Sequence, residues 1–251
     1  MNFKSLHFQD SPLLICNVWD VASAKVAEKL DFKAIGTSSA AIANLLGYDD
    51  GEKMSFSELR YFVKRIVENT KLPLTVDLES GYSRDTSKII ENIIKLADLG
   101  VVGINIEDSI VNEERTLLNA ECFSKVIYDI KMKLESENRD IFLNVRTDAF
   151  LLGYENAVHE TEIRIKYFEE AGADCIFIPC IEKEDDIKRI IKSTNLPINV
   201  MCMPNLPEFE VLKKIGVNRI SMGNFLFDYM FNEFEQVLRD VVSEQSFKVI
   251  F

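Results

Sequence analysis

Short apolar runs alternate with longer amphipathic segments along the whole chain, and this alternation limits the possible folds more than any other feature. Eight apolar runs predict strands, at residues 13–16, 34–37, 74–77, 102–106, 141–145, 175–178, 198–201 and 219–222. The segments between them carry apolar residues at the 3.6-residue spacing of a helix. One such stripe includes Phe56, Leu59, Val63 and Ile66.

The predicted strands are continuous apolar runs, which is typical of a parallel sheet covered by helices. Eight βα units in about 250 residues predict an α/β fold, the (β/α)8 or TIM barrel. An open doubly wound sheet is the alternative. No linker rich in Pro, Gly or Ser interrupts the 251 residues, so we expect a single barrel domain over residues 1–251. Ser55 and Glu58 have the spacing of a capping box at a helix start.

Composition argues against several classes of protein. The formal net charge of −12 argues against nucleic-acid binding, because a phosphate backbone must be met by clustered Lys and Arg. No run approaches the roughly 18 uncharged apolar residues that span a membrane, and the N-terminal segment is too polar for a signal peptide. We therefore expect a cytoplasmic protein. Five cysteines without CxxC spacing favour neither a disulfide framework nor a zinc site.

Polar side chains follow most of the predicted strands at their carboxyl ends, where barrel enzymes place their reacting groups. Because the strands are parallel, we expect these side chains to converge on one mouth of the barrel. The candidates at strand ends are Trp19, Ser38, Ser39, Asp77, Glu79, Glu107, Arg146 and Asn199.

Three of these candidates are carboxylates that we expect to lie close together. Asp77 and Glu79 project to the same side if strand geometry continues past Asp77, and Glu107 ends the neighbouring strand. Like charges in one place are costly unless a cation or protons neutralise them. Oxygen ligands without nearby histidine or thiolate favour Mg²⁺ or Mn²⁺. In the alternative interpretation, these acids cap the following helices or pair with Arg146 and Arg115.

The segment 36–40, GTSSA, leads into an apolar helical turn. Backbone amides at a helix start, with the hydroxyls of Ser38 and Ser39 nearby, can hold a carboxylate or a phosphate. A plain N-cap is the alternative. The two histidines, His7 and His159, form neither a zincin motif nor a convincing Ser-His-Asp triad.

Six blocks of the sequence resemble the isocitrate lyase and phosphoenolpyruvate mutase superfamily, in the order expected for it. NVWDVASAKVAEKLDFKAIGTSSAAIANLLGYDDGE resembles that family's opening strand, helix and serine-bearing loop, and VDLESGYS resembles its metal loop. GINIEDS, NVRTDAF, AGADCIFIP and PINVM resemble four later blocks. The resemblance extends over most of the chain.

The resemblance implies a barrel that binds Mg²⁺ and a small 2-oxo or 2-hydroxy carboxylate, and that makes or breaks a C–C or P–C bond through an enolate-type intermediate. It implies that Asp77 ligates the metal directly, whereas Glu79 and Glu107 act mainly through bound water. Arg146 would neutralise the substrate carboxylate or the forming enolate, and Asp50 would reach over the site. The residues expected to bind substrate are Trp19, Ser38, Ser39, Ala40 and Asn199.

The loop after the fourth strand departs from the lyase branches, which carry K-[KR]-C-G-H there. This chain has SIVNEERTLL, without the cysteine that acts as the acid in isocitrate cleavage, and this favours a phosphonomutase-like branch. We expect residues 108–118 to act as a lid, with Asn112 and Arg115 both possible as its polar contact. The expected chemistry is cleavage or decarboxylation of an oxaloacetate-like acid, or phosphonopyruvate chemistry.

Two other functions compete with this interpretation. One is a barrel aldolase or a phosphate-binding isomerase; a Schiff-base aldolase would need a lysine on a strand, and the predicted strands contain none. A non-catalytic carboxylate sensor or scaffold on the same barrel is the other alternative. The resemblance also implies a homo-oligomer, a dimer or tetramer, in which the C-terminal helix around residues 225–234 packs on a neighbouring barrel. Burial of that helix against its own barrel is the alternative.

Overall fold

The structure is a computed structural model that describes residues 2–251 and contains eleven strands and nine α-helices. The strands are β1 (Leu13–Leu14), β2 (Cys16–Val18), β3 (Ile35–Thr37), β4 (Leu74–Asp77), β5 (Gly103–Glu107), β6 (Ser109–Val111), β7 (Arg115–Leu117), β8 (Phe142–Arg146), β9 (Cys175–Ile178), β10 (Ile198–Met201) and β11 (Arg219–Ser221).

The main sheet closes on itself through the first strand. Nine strands pair in the order β1-β11-β10-β9-β8-β5-β4-β3-β2, and all of these pairings are parallel. β1 and β2 are two parts of one stretch that is interrupted at Ile15, whose N–H donates to Ile220 O at 2.8 Å. β1 pairs with β11 and β2 with β3, so this stretch joins both edges of the sheet. The predicted barrel is confirmed, and its first strand extends to Val18 rather than ending at Cys16.

The helices lie between the strands in chain order and cover the outside of the sheet. α3 begins with the predicted capping box, in which Ser55 and Glu58 each accept a hydrogen bond from the other's backbone N–H. No helix of residues 2–251 combines the length and the apolar character needed to cross a membrane. The helices are α1 (Val21–Lys29), α2 (Ser39–Leu45), α3 (Phe56–Val67), α4 (Thr86–Ala97), α5 (Ala120–Ser136), α6 (Ala157–Glu170), α7 (Glu184–Lys192), α8 (Phe209–Ile215) and α9 (Phe225–Glu244).

The inside of the barrel changes from apolar at its base to polar towards the carboxyl ends of the strands. A 3₁₀ helix, Phe3–His7, closes the base, where Phe3 packs edge-to-face on Phe142 with ring centroids 5.5 Å apart. A Cβ on Gly103 would lie 3.0 Å from Phe142 O, so this close approach requires glycine. Along β8, alternate residues share the inner face, and the sequence there proceeds from Phe142 through Asn144 to Arg146.

The predicted lid over residues 108–118 is an antiparallel hairpin rather than an irregular loop. β6 and β7 pair with Ser109 opposite Leu117. The two ends of the hairpin are joined at its base, because Leu118 N–H donates to Asp108 O at 2.8 Å. Arg164 Nη1 on α6 donates to Asp108 Oδ2 at 2.9 Å and to Leu118 O at 3.0 Å. One buried guanidinium therefore holds both ends of the lid.

The C-terminal helix α9 leaves most of its apolar side chains uncovered. Phe227 is the one α9 residue buried within residues 2–251, and it packs edge-to-face on Trp19 at 5.1 Å. Burial of α9 against its own barrel, the alternative noted from the sequence, is therefore not what the structure shows. The exposed apolar residues of the predicted segment are Phe225, Leu226, Tyr229, Met230, Phe231 and Phe234.

Candidate active site

A cavity of about 420 Å³ opens at the carboxyl ends of the barrel strands. Its wall combines carboxylate, guanidinium and hydroxyl groups, as expected from the polar residues at the strand ends. Eight of the ten predicted site residues line it, namely Ser38, Ser39, Ala40, Asp50, Asp77, Glu79, Glu107 and Arg146.

The structure does not bring Trp19 and Asn199 to the cavity wall. Trp19 follows the end of β2 and turns towards α9, where it packs on Phe227. Asn199 is fully buried inside the barrel. Met201, two residues later on the same face of β10, lines the cavity instead. Asn199 therefore lies closer to the base of the barrel and does not reach the cavity.

Asp77 ends β4 with one carboxylate oxygen satisfied and the other free. Ser39 Oγ donates to Asp77 Oδ2 at 2.7 Å, whereas Asp77 Oδ1 is buried without a hydrogen-bond partner among residues 2–251. Burial raises the pKa of Asp77, and the nearby charge of Arg146 and the hydrogen bond from Ser39 oppose that rise. The predicted N-cap is also present, because Ser38 Oγ accepts from Ala41 N–H at 3.3 Å.

Glu79 reaches the cavity by a route that the sequence did not predict. β4 ends at Asp77, and Glu79 has a left-handed backbone with φ of 50°, so strand alternation does not continue through it. Its carboxylate accepts from Glu52 N–H at 2.6 Å and from Tyr82 Oη–H at 2.9 Å. Burial raises the pKa of Glu79 to about 8, and the neighbouring charges of Asp50 and Asp77 add to the rise.

Glu107 at the end of β5 lies between two guanidinium groups. Arg146 Nη1 is 2.9 Å from Glu107 Oε2, and Arg115 also contacts this carboxylate. Burial raises the pKa of Glu107, and the charge of Arg146 opposes the rise. Arg146 is itself held by Asp148, which accepts from its Nε at 2.6 Å and from its Nη2 at 3.1 Å.

Arg115 of the lid hairpin enters the cavity, which selects it over Asn112 as the lid's polar contact. From β7 it approaches Asp148 Oδ2 at 3.3 Å and Asp50 Oδ2 at 3.2 Å, in addition to Glu107. Asn112 does not line the cavity. The lid is thereby connected to the loop that carries Asp50.

The alternative in which the acids pair with arginines therefore describes Glu107 well, but not Asp77 or Glu79.

The carboxylates fit a divalent cation that is held partly through water. Within the described chain, no three His, Cys, Asp or Glu side chains converge closely enough to form a complete metal cage. Asp77 nevertheless offers a free, buried oxygen, and Glu107 lies near enough to Glu79 for its negative charge to contribute to the raised pKa of Glu79. One direct ligand with further carboxylates acting through water is typical of Mg²⁺, which keeps several of its waters.

Several residues of the cavity were missed by the sequence reasoning. Asn105 on β5, Phe177 on β9 and Ser221 on β11 all line it. Asn105 precedes Glu107 by two residues on the same strand, and residues two apart share a face. That spacing was the signal that would have found it.

Comparison with known proteins places the chain among related enzymes. The phosphoenolpyruvate phosphomutase family model matches residues 3–242. A crystal structure from Burkholderia cenocepacia, provisionally described as a phosphonomutase, is 32% identical with a TM-score of 0.89, covering 94% of this chain and 97% of that one. The 2-methylisocitrate lyase of Aeropyrum pernix is 25% identical, over 93% of this chain and 76% of its own. Oxaloacetate decarboxylase 1 of Pseudomonas fluorescens is 26% identical, over 86% of this chain and 75% of its own.

Proposed function

Because the chain belongs to the phosphoenolpyruvate phosphomutase family, we propose that it is a Mg²⁺-dependent lyase or mutase that cleaves or forms a C–C or P–C bond. The proposed substrate is a small 2-oxo or 2-hydroxy carboxylate, oxaloacetate-like or phosphonopyruvate-like, and the intermediate is an enolate. The observation that carries the proposal is the cavity at the strand ends, where Asp77, Glu79 and Glu107 face Arg146 and Arg115.

Asp77 is the residue that would hold the divalent ion, Mg²⁺ or Mn²⁺, directly. Its Oδ1 atom is buried without a partner in residues 2–251, and an unpaired charge in such a place is costly. Glu79 and Glu107 would act through bound water, because their carboxylates already contact Glu52 N–H and Arg146. When bound, the ion supplies positive charge next to the anionic intermediate.

Arg146 would bind the substrate carboxylate or the enolate oxygen. Asp148 fixes the guanidinium through two hydrogen bonds, so little reorganisation is needed when negative charge develops beside it. A fixed cation in a buried site stabilises such charge more strongly than in water. The planar fork of arginine also suits a carboxylate. Asp50 would complete the closed site from above, through its contact with Arg115 on the lid.

The start of α2 would hold a second part of the substrate. Ser38, Ser39 and Ala40 line the cavity there, and backbone N–H groups at a helix start favour an anionic group. We assign no substrate contact to Trp19 or Asn199, because neither lines the cavity.

The lid supports the choice of substrate class. Arg115 of the lid contacts the Glu107 carboxylate. The lid contains no cysteine, as its sequence SIVNEERTLL shows, and so no thiol that could protonate a leaving group. Two guanidiniums in one cavity suit a substrate with two anionic groups. The similarity to oxaloacetate decarboxylase supports oxaloacetate-like acids, and the family itself supports phosphonopyruvate-like acids.

We also propose that the protein is a homo-oligomer in which α9 packs on a neighbouring barrel. The exposed apolar residues of α9 include Phe231 and Phe234, at 41% and 57% exposure. Contiguous exposed apolar surface of this kind is typical of protein–protein contacts.

A metal titration combined with an activity screen tests the enzymatic proposal. We expect calorimetry to show Mg²⁺ binding to the wild type and its loss in Asp77→Ala. Asp129→Ala, on the exposed face of α5, is the matched control and should bind like the wild type. We expect turnover of an oxo acid or phosphonate from a panel of small acids, and its loss in EDTA. Equal Mg²⁺ affinity of wild type and Asp77→Ala, or none in either, would refute the metal site; tight binding of an acid without turnover would favour the sensor.

A further inference from the structure

Arg219 lies inside the barrel with its charge unpaired. The side chain is 1% exposed, and its Nη2 donates to Asn105 Oδ1 at 3.4 Å. Its Nε and Nη1 atoms have no hydrogen-bond partner in residues 2–251. Burial lowers the pKa of Arg219 to about 10, so the group stays positively charged at neutral pH. Burial of an unpaired charge is costly, so fold stability does not explain why an arginine occupies this position.

The contact with Arg219 fixes the orientation of Asn105. Asn144 Nδ2 also donates to Asn105 Oδ1, at 2.8 Å. A guanidinium carries donors and no acceptor, so the amide atom that faces Arg219 must be the oxygen. The Nδ2 group of Asn105 is therefore directed away from Arg219.

The Asn105 amide is presented to the cavity. Asn105 lines the cavity and keeps 7% of its surface accessible. Its Nδ2 group donates to no atom of residues 2–251, and it remains accessible to solvent instead of being sealed in the interior. In the strand register, Asn105 lies opposite Asp77 on β4. A free donor thus stands at the floor of the cavity, beside the carboxylate proposed to hold the metal.

We propose that Asn105 contacts the substrate, with its side-chain N–H₂ group donating to an anionic oxygen of the bound oxo acid, and that Arg219 is the positioning residue beneath it. The proposal rests on the function proposed above, because the oxygen belongs to the carboxylate or enolate of that acid. It assigns a role to a buried arginine that itself neither belongs to the lid nor lines the cavity.

The charge of Arg219 strengthens this donor. Donation to Asn105 Oδ1 polarises the amide, and linked hydrogen bonds in a poorly solvated interior reinforce one another. The uncompensated charge also creates a favourable potential for negative charge in the cavity above it. Both effects increase as negative charge develops on the substrate oxygen, so they stabilise the intermediate more than the free acid.

Calorimetric titration with oxalate and Mg²⁺ tests the contact without requiring turnover, because oxalate is a planar dianion shaped like the enolate of pyruvate. We expect wild type to bind and Asn105→Ala to bind about tenfold or more weakly, the usual effect of a lost hydrogen bond to a charged group. Asn105→Asp keeps an acceptor for Arg219 and Asn144 but loses the donor, so it should fold and bind weakly. Asn44→Ala, at an exposed position of α2, should bind like the wild type.

The outcomes separate this proposal from the proposed function. If wild type binds oxalate and Asn105→Ala binds within twofold of it, the role of Asn105 is overturned and the proposed function stands. If wild type neither binds oxalate nor turns over any acid of the panel, the proposed function is overturned, and the role of Asn105 with it.

A double-mutant cycle tests the positioning role of Arg219. Arg219→Lys keeps the buried charge but changes the donor geometry, so it should weaken oxalate binding in the wild-type background and have little effect in Asn105→Ala. Thermal unfolding followed by circular dichroism checks that each variant is folded. An effect of Arg219→Lys that is equally large in both backgrounds would show that Arg219 does not act through Asn105, and would overturn its assignment.

Discussion

Acid should destabilise this protein through His7, which is buried at the base of the barrel. Its ring stacks on Phe142 with centroids 4.1 Å apart, and its exposed fraction is 1%. Burial, followed by the charge of Arg219, lowers the pKa of His7 from 6.5 to about 3. The folded state therefore keeps this imidazole neutral, whereas the unfolded chain takes up a proton below pH 6.5. The contribution of neutral His7 to the free energy of unfolding is therefore fully present above pH 6.5, and it is lost as the pH falls towards 3.

The size of the effect follows from the difference of one bound proton. Each pH unit below the unfolded pKa removes about 1.4 kcal/mol of stability. Between about pH 7.5 and about pH 5, His7 alone should lower the free energy of unfolding by about 2 kcal/mol. Urea denaturation of wild type and His7→Phe at both pH values isolates this contribution, because the carboxylates that the two proteins share cancel in the comparison.

The second histidine provides the control. His159 lies on α6 with its side chain 68% exposed, and His159→Gln should retain the pH dependence of the wild type. If His7→Phe loses as much free energy of unfolding between the two pH values as the wild type does, His7 is not the group responsible and the reasoning is wrong.

Two further predictions concern the lid and the C-terminal helix. Arg164→Met leaves Asp108 buried without its cation, and should lower the free energy of unfolding by about 3–5 kcal/mol in urea denaturation; an unchanged midpoint would show that the pair does not support the fold. Phe234→Glu places a charge on the exposed apolar face of α9, and should shift the particle mass towards the monomer in light scattering. A wild type that is monomeric at micromolar concentration would contradict the proposed role of α9.

The barrel was predictable because its determinants are local and repeated. Each of the eight predicted strands overlaps an observed strand, because a parallel strand that is buried on both faces appears in the sequence as a short apolar run. The interruption at Ile15 was not predictable in this way, because it reflects pairing with two different neighbours that are distant in sequence. The lid hairpin escaped detection because β6 and β7 are mostly half-buried or exposed, so they do not form the apolar runs that mark the barrel strands.

The site was predictable where polar residues follow a strand, and not where they lie within one. Asp77, Glu107 and Arg146 end apolar runs and stand out from them. Asn105 lies within β5 and Arg219 begins β11. Both faces of a barrel strand are buried, so an apolar run alone does not tell which face lines the interior. For Asn105 the two-residue spacing from Glu107 supplies that information, and Arg219 has no such reference on its strand. Glu79 was assigned to the right cavity for an incorrect reason, because a turn and not strand alternation brings it there.

The divided first strand has a consequence for the order in which this chain can fold. Leu13 is paired with Arg219, so the ring stays open during synthesis until the last barrel strand has left the ribosome. Contacts between residues so far apart form slowly, and until then β1 presents an unpaired edge to the solvent. β11, the strand that completes the barrel, also carries Arg219. The contact between Arg219 and Asn105 at the floor of the cavity therefore forms only when the barrel closes.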